Sequence, residues 1–270
     1  MERITSQNGT VISYDRYGDG PPLVLVHGGF SDHNTNWAYV KAPLGKQFEV
    51  YALARRGRGE TDATEGHRLE AEAADVAAVI QAAGEPVFLL GHSYGALCAL
   101  EAAALVPDRI AKLVLYEPPW PSLASPDVVA RLEQLGQRED WNTLVETFLT
   151  DVLLVPWDDV KALQGTPDWA PWIADARATL GDMRALVKYT FTPEPFRTLT
   201  MPVLLLVGSE SPRELYVTDA LAATLPDVRV VPLEGQAHEG MTTAPELFVE
   251  TVARFLVNQQ VGGKRPVSAP

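Results

Sequence analysis

Residues 88–100, FLLGHSYGALCAL, put Ser93 between Gly91 and Gly95 where an apolar strand-like run gives way to an alanine-rich helical run. A serine held on a sharp strand-to-helix bend has its hydroxyl exposed, and the helix start beneath it favours developing negative charge. That is the chemistry of a nucleophile attacking an electrophilic carbon. Such a bend asks for very small residues two positions before and two after the serine, because larger side chains would collide. Helix capping explains the serine less well. A capping box would carry Glu or Gln at position 96, which is Ala96, and capping gives no reason for either glycine. A dinucleotide-binding turn would need glycine at 93, and a P-loop would need a lysine after its last glycine; neither is present.

A serine becomes a useful nucleophile when an imidazole takes its proton. His238, in LEGQAHEG, is the candidate base. It follows the strand-like run 228–232 through a short glycine-containing loop, and only folding can bring it to Ser93. HEGMT is not H-E-x-x-H, so a zinc-protease reading fails. Of the other histidines, His92 is too constrained by the bend to reach Ser93, and His27 braces the loop it precedes. His33 is within reach of a pocket, and His67 reads as exposed.

The elements that must position these residues alternate. Strand-like runs occupy 10–18, 22–29, 48–54, 86–90, 110–116, 202–207 and 228–232. Helical runs occupy 67–84, 94–105, 213–224 and 244–258. This alternation predicts a mostly parallel sheet with helices on both faces and a ligand site at the carboxyl ends of the strands. From 118 to 200 no clear strand occurs. That stretch holds Trp120, Trp141, Trp157, Trp169 and Trp172, five of the six tryptophans, and reads as a helical cap or lid over an apolar pocket. Phe30, Trp120 and Trp141 are the expected pocket residues. The expected division is a core of 1–117 and 201–260, an insertion of 118–200 and a flexible tail of 261–270.

LVHGGF, RRGRGET, LLGHSYGALCAL, the variable insertion and LEGQAHEGMTTAPELF together resemble the α/β-hydrolase superfamily, over about residues 10 to 258. The resemblance implies an α/β-hydrolase fold of the eight-stranded type with a lid after the sixth strand. It implies Ser93 as nucleophile, His238 as base, and a chain order of serine, acid, histidine. One oxyanion-hole N–H would come from Tyr94 and the second from Gly29, with Phe30 as the alternative. The acid departs from the common pattern. Many relatives carry Gly-x-x-Asp after the strand that follows the lid, but here Ser211 stands at the Asp position and Glu210 is one residue early. Glu117, in LVLYEPPW, ends the preceding strand, and certain haloalkane dehalogenases use a Glu there. Both glutamates stay open, with Glu117 preferred. Ala54 stands where the family's RRGRGET-type loop usually begins with an acidic residue, and Arg55, Arg56 and Arg58 read as structural or surface.

The activity implied is hydrolysis of a carboxylic ester or lactone of a small to medium apolar substrate, with no metal or organic cofactor. Attack by an Asp carboxylate, as in dehalogenases and epoxide hydrolases, is disfavoured because residue 93 is Ser. Perhydrolysis, acyl transfer, C–C hydrolysis, hydroxynitrile lysis and a non-catalytic small-molecule receptor remain alternatives. A formal net charge of −13 argues against nucleic acid or an anionic membrane surface as partner. With one cysteine, Cys98, no intrachain disulfide can form. The start lacks signal-peptide character and no run is long enough to span a bilayer, so a cytoplasmic protein is expected. The sequence does not speak to oligomeric state.

Overall fold

The computed structural model describes residues 1–62 and 67–257. The tail at 261–270 lies outside the described residues. Strands β1 (Glu2–Thr5), β2 (Val11–Tyr17), β3 (Pro22–Val26), β4 (Glu49–Leu53), β5 (Val87–His92), β6 (Ile110–Tyr116), β7 (Val203–Gly208) and β8 (Val228–Leu233) form one eight-stranded sheet in the order β1-β2-β4-β3-β5-β6-β7-β8. β1 and β2 join antiparallel, and from β4 to β8 every pairing is parallel. β1 escapes sequence reading because ERIT carries a single apolar residue and is largely exposed; its pairing with β2 makes it a strand.

The helices are α1 (Lys41–Gly45), α2 (Leu69–Ala82), α3 (Tyr94–Leu105), α4 (Pro126–Gln137), α5 (Trp141–Asp151), α6 (Trp157–Gln164), α7 (Trp169–Leu186), α8 (Thr218–Thr224), α9 (Gly240–Thr243) and α10 (Pro245–Val257). Side chains alternate across a strand, and β3 shows the result. Its Val24 and Val26 join a core with Leu97 of α3 and Val76 of α2, while its Leu23 and Leu25 join a second core with Leu44 of α1 and Phe248 of α10. Both faces are therefore buried, which is why β3 reads as a continuous apolar run. Each fully buried Leu or Val side chain contributes about 1.5–3 kcal/mol.

Helices α4 to α7 lie between β6 and β7 in the chain. The Ser125 and Asp140 side chains cap α4 and α5 by accepting the N–H groups of Val128 and Thr143. Leu132, Leu144, Leu149, Leu180 and Met183 from this segment share one apolar core with the sheet. The single helix expected over 213–224 is instead a 3-10 turn at Arg213–Leu215 followed by α8. The break arises because residues 215–217 bond to the chain leaving β6: Trp120 N–H donates to Leu215 O, and Val217 N–H donates to Pro118 O, both at 2.9 Å. Among the described residues, no helix is long and apolar enough to cross a membrane.

Candidate active site

β5 ends at His92, α3 begins at Tyr94, and Ser93 sits between them with φ 55° and ψ −127°. A non-glycine residue held in such a region costs roughly 1–3 kcal/mol and persists only where its surroundings enforce it. Here the enforcement is visible. The Ser93 N–H donates to Tyr116 O of β6 at 2.9 Å. A Cβ on Gly95 would stand 2.2 Å from His27 O, and one on Gly91 would stand 2.6 Å from Ala96 Cα. Both glycines are thus required, but for different neighbours: Gly95 lets α3 approach the end of β3, and Gly91 lets β5 turn tightly into α3.

His238 follows β8 on the loop before α9. Its Nδ1 lies 2.5 Å from Oε2 of Glu117, the residue that directly follows β6 and is completely buried. The other oxygen, Oε1, accepts the Gly208 N–H at 2.6 Å. Glu117 itself adopts φ 48°, and its N–H donates to Leu206 O at 3.2 Å. The Tyr216 ring stacks on the imidazole with centroids 5.3 Å apart and planes 14° from parallel. The Tyr116 hydroxyl donates to Ala237 O and accepts the Gly240 N–H, fixing the loop on either side of His238. Burial works against a charged His238, but the hydrogen bond and charge of Glu117 outweigh it and hold the imidazole pKa above its ordinary value. Glu210 is exposed; among the described residues only the neighbouring Ser209 hydroxyl bonds its carboxylate, and it makes no contact with His238. Of the two glutamates left open by the sequence, the fold brings Glu117 to the imidazole.

The remaining histidines are structural neighbours. His92 lies between Asn36 Oδ1 and His238 O, at 3.1 and 3.0 Å, and burial followed by the nearby His238 drives its pKa well down. The Arg55 N–H donates to His27 Nε2, which leaves His27 Nδ1 to donate to Gly28 O at 2.8 Å. His27 therefore braces the loop, as expected. His33 is buried against Asn34 and Asp15, away from the cavity wall. His67, expected to be exposed, is mostly buried and paired with Glu72 of α2.

Ser93, Tyr94, Gly29, Phe30 and His238 share the wall of one cavity of about 180 Å³. The N–H of Phe30 donates to Thr179 Oγ1 of α7 at 2.7 Å. Among the described residues, the N–H groups of Gly29 and Tyr94 have no such acceptor. Phe148, Leu149, Leu153, Trp172 and Met183 make much of the remaining wall apolar. Trp120 and Trp141, expected in the pocket, are not on that wall. Trp120 packs edge-on against Phe191, and Trp141 lies under Arg177. The tryptophan that does line the cavity is Trp172; nothing in the local sequence ranks it above its four neighbours.

The arginines of RRGRGET are buried rather than on the surface. Arg55 pairs with Glu72 and Asp182, at 2.9 and 2.6 Å, and Arg58 pairs with Asp175 and Asp182, at 2.9 and 2.8 Å. Arg56 pairs with Asp75 at 2.6 Å. Burial alone would raise the Asp182 pKa, but the two guanidiniums hold its carboxyl well below the usual range. The network ties the loop after β4 to α7. Among the described residues, two sets of potential metal donors, His92–His238–Glu239 and His67–Glu72–Asp182, each gather within 4.8 Å. Side chains in both sets already serve protein bonds: His238 through Nδ1 to Glu117, His67 to Glu72, and Asp182 to both arginines.

Comparison with known proteins gives this arrangement its context. Residues 23–251 match the alpha/beta hydrolase family. Over 118 residues, 42% of this chain and 44% of the relative, the sequence is 41% identical to an N-formylmaleamate deformylase of Pseudomonas putida. Over 91% of this chain and 99% of the relative, it is 27% identical to a pimeloyl-[acyl-carrier protein] methyl ester esterase of Aeromonas hydrophila. The crystal structure of an alpha/beta hydrolase from Sphaerobacter thermophilus superposes with a TM-score of 0.83 and 33% identity, covering 94% of this chain and all of that one. With the sheet order, the serine bend after β5 and the family match in agreement, the chain belongs to the alpha/beta hydrolase family.

Proposed function

We propose that this chain is a serine hydrolase that cleaves a carboxylic ester or lactone of a small to medium uncharged substrate through an acyl-enzyme. The observation that carries the reading is the 2.5 Å contact of His238 Nδ1 with the buried Glu117 carboxylate, on the wall of the cavity that also holds Ser93. With Nδ1–H directed at Glu117, Nε2 is the basic nitrogen, as a general base for serine requires. His238 takes the Ser93 proton while Oγ attacks the carbonyl carbon. The Gly29 and Tyr94 N–H groups receive the oxyanion; Phe30 is set aside because its N–H is bonded to Thr179. Protonated His238, stabilised by Glu117, gives its proton to the leaving alcohol. Water, deprotonated by the same imidazole, then releases the acid.

The substrate class is supported by the wall. Its apolar side chains favour an apolar acyl or alcohol group, and Asp168 and Glu239 on the same wall disfavour an anionic one. The relatives named as a deformylase and a methyl ester esterase support acyl-bond hydrolysis as the reaction type. A lyase on this scaffold would need a charged group facing the nucleophile; Lys161 and Lys188 of the insertion are exposed and off the cavity wall, which weighs against that chemistry.

The test is a fluorophosphonate probe read by mass spectrometry, with p-nitrophenyl ester turnover alongside. The adduct is expected on Ser93, and Ser93→Ala should lower turnover by roughly 10⁴-fold or more. Labelling of another residue, or near-normal turnover by Ser93→Ala, would overturn the proposal.

A further inference from the structure

We infer that Thr179, on α7 of the insertion, is a positioning residue that sets the oxyanion loop by holding the Phe30 N–H. The inference rests on the serine hydrolase reading and goes beyond it, because it makes the catalytic geometry of the core depend on a hydroxyl from outside the core.

The geometry is specific. Thr179 is buried, and its Oγ1 accepts the Phe30 N–H at 2.7 Å. The same hydroxyl donates to Asp175 Oδ2 at 2.8 Å, one turn earlier on α7, and receives a longer contact from Arg58 Nη2 at 3.2 Å. Arg58 also bonds Asp175 and Asp182, so the hydroxyl is oriented by a charged network rather than left to rotate. With its proton committed to Asp175, the lone pairs of Oγ1 face Phe30 and Arg58. Phe30 has φ 49°, a left-handed conformation that an aromatic residue does not adopt unaided. The insertion grips it a second time, for the Phe30 ring packs edge-on against Phe148 of α5 with centroids 4.8 Å apart.

Two consequences follow for the loop. First, the Phe30 N–H is occupied, so the loop donor left for a developing oxyanion is Gly29. Second, α7 lies directly over Gly29: a Cβ there would stand 3.2 Å from Thr179 Cγ2. The peptide that presents the Gly29 N–H is thus clamped by Thr179 on one side. On the other, Asn36 Oδ1 accepts the Gly28 N–H at 3.0 Å. An oxyanion donor contributes only when it is already aimed at the place where charge will appear, and Thr179 supplies that aim from the insertion.

The experiment compares Thr179→Val, Thr179→Ser and Leu180→Ala in the full chain. The readouts are p-nitrophenyl butyrate kinetics, inhibition by butylboronic acid and thermal melting. Leu180 is buried beside Thr179 on the same helix but is off the cavity wall, so its variant loosens α7 without removing the hydroxyl. Losing an entire oxyanion donor lowers kcat by about 10²–10³-fold. Misaiming one by Thr179→Val should lower kcat by about 10- to 100-fold, leave KM within about twofold, and weaken the boronate in parallel. Thr179→Ser should restore kcat to within about threefold, and Leu180→Ala should lose stability while keeping kcat. If Thr179→Val does not fold, Thr179→Cys, of similar size with a weak acceptor, carries the same expectation.

The inference is overturned if Thr179→Val leaves kcat unchanged or raises it, if it moves KM alone, if Thr179→Ser fails as badly, or if Leu180→Ala loses kcat equally. Failure of the parent reading looks different: the unaltered chain would then show no Ser93-dependent turnover.

Discussion

Replacing Glu117 with Gln is the sharpest perturbation of the site, because both carboxylate oxygens have an assigned donor. Oε2 faces His238 Nδ1 and Oε1 accepts the Gly208 N–H, inside a fully buried position. Glutamine has one oxygen. If that oxygen keeps Gly208, the amide NH₂ faces Nδ1 and forces the proton onto Nε2, where it blocks proton abstraction from serine. If the oxygen turns to His238, the NH₂ confronts the Gly208 N–H. A wrong tautomer of this kind lowers kcat by about 10⁴-fold in a serine triad, about 5 kcal/mol of transition-state stabilisation. The pH profile gives an independent sign. In the unaltered chain burial lowers the His238 pKa, yet Glu117 overrides burial and raises it. The base must be neutral, so the acid limb of kcat/KM should lie above the ordinary histidine value of about 6.5. Without the Glu117 charge, burial is opposed far less, and the limb of the residual activity should move to lower pH. The assay is p-nitrophenyl butyrate hydrolysis from pH 5 to 9 at matched folded fraction, with Glu210→Gln as the comparison expected to stay near normal. Activity of Glu117→Gln within tenfold of the unaltered chain, loss of activity in Glu210→Gln alone, or an acid limb moving upward would refute the reasoning.

Other outcomes are expected from the same structure. Gly95→Ala should abolish activity and lower stability by about 1–3 kcal/mol in urea unfolding, since its Cβ would stand 2.2 Å from His27 O. Gly165→Ala, whose Cβ meets only Ala162 O at 3.4 Å, should stay within about 0.5 kcal/mol of the parent. Burial, reinforced by Glu117 and Asp168 over the opposing His238, raises the Glu239 pKa to about 7. Negative charge on the cavity wall therefore grows between pH 6 and 8. A succinate half-ester should fall behind the neutral butyrate ester by about tenfold over that range, the effect of roughly 1.4 kcal/mol of screened repulsion. Glu239→Gln should flatten that ratio; a ratio already flat in the unaltered chain would count against the reading.

The sheet and the serine bend were legible because their causes are local. An unbroken apolar run marks β3, and Gly91 and Gly95 mark the bend that starts α3 at Tyr94. What was hidden depends on partners far away in the chain. Glu117 and Glu210 both follow an apolar strand, and only the fold seats one of them between the Gly208 N–H and His238. Arg55 and Arg58 look like loop charges until Asp182 arrives from α7 to bury them. Which tryptophan faces the cavity depends on how each insertion helix is rotated on the core, so Trp172 could not be told from Trp120 or Trp141. Thr179 carries no motif; its part emerges from one hydrogen bond across the fold.

The buried ion pairs also constrain how the cavity can admit a molecule. Raising α7 as a flap would separate Asp182 from two guanidiniums that water does not reach, and breaking a buried pair costs about 3–5 kcal/mol. The walls contributed by α5, α6 and the turn between them are held by side chains such as Leu149, Leu153 and Leu163, whose parting strands no charge. Opening the cavity along its greasy wall would therefore cost less than opening it at α7, whose buried charges make it the costlier side to part.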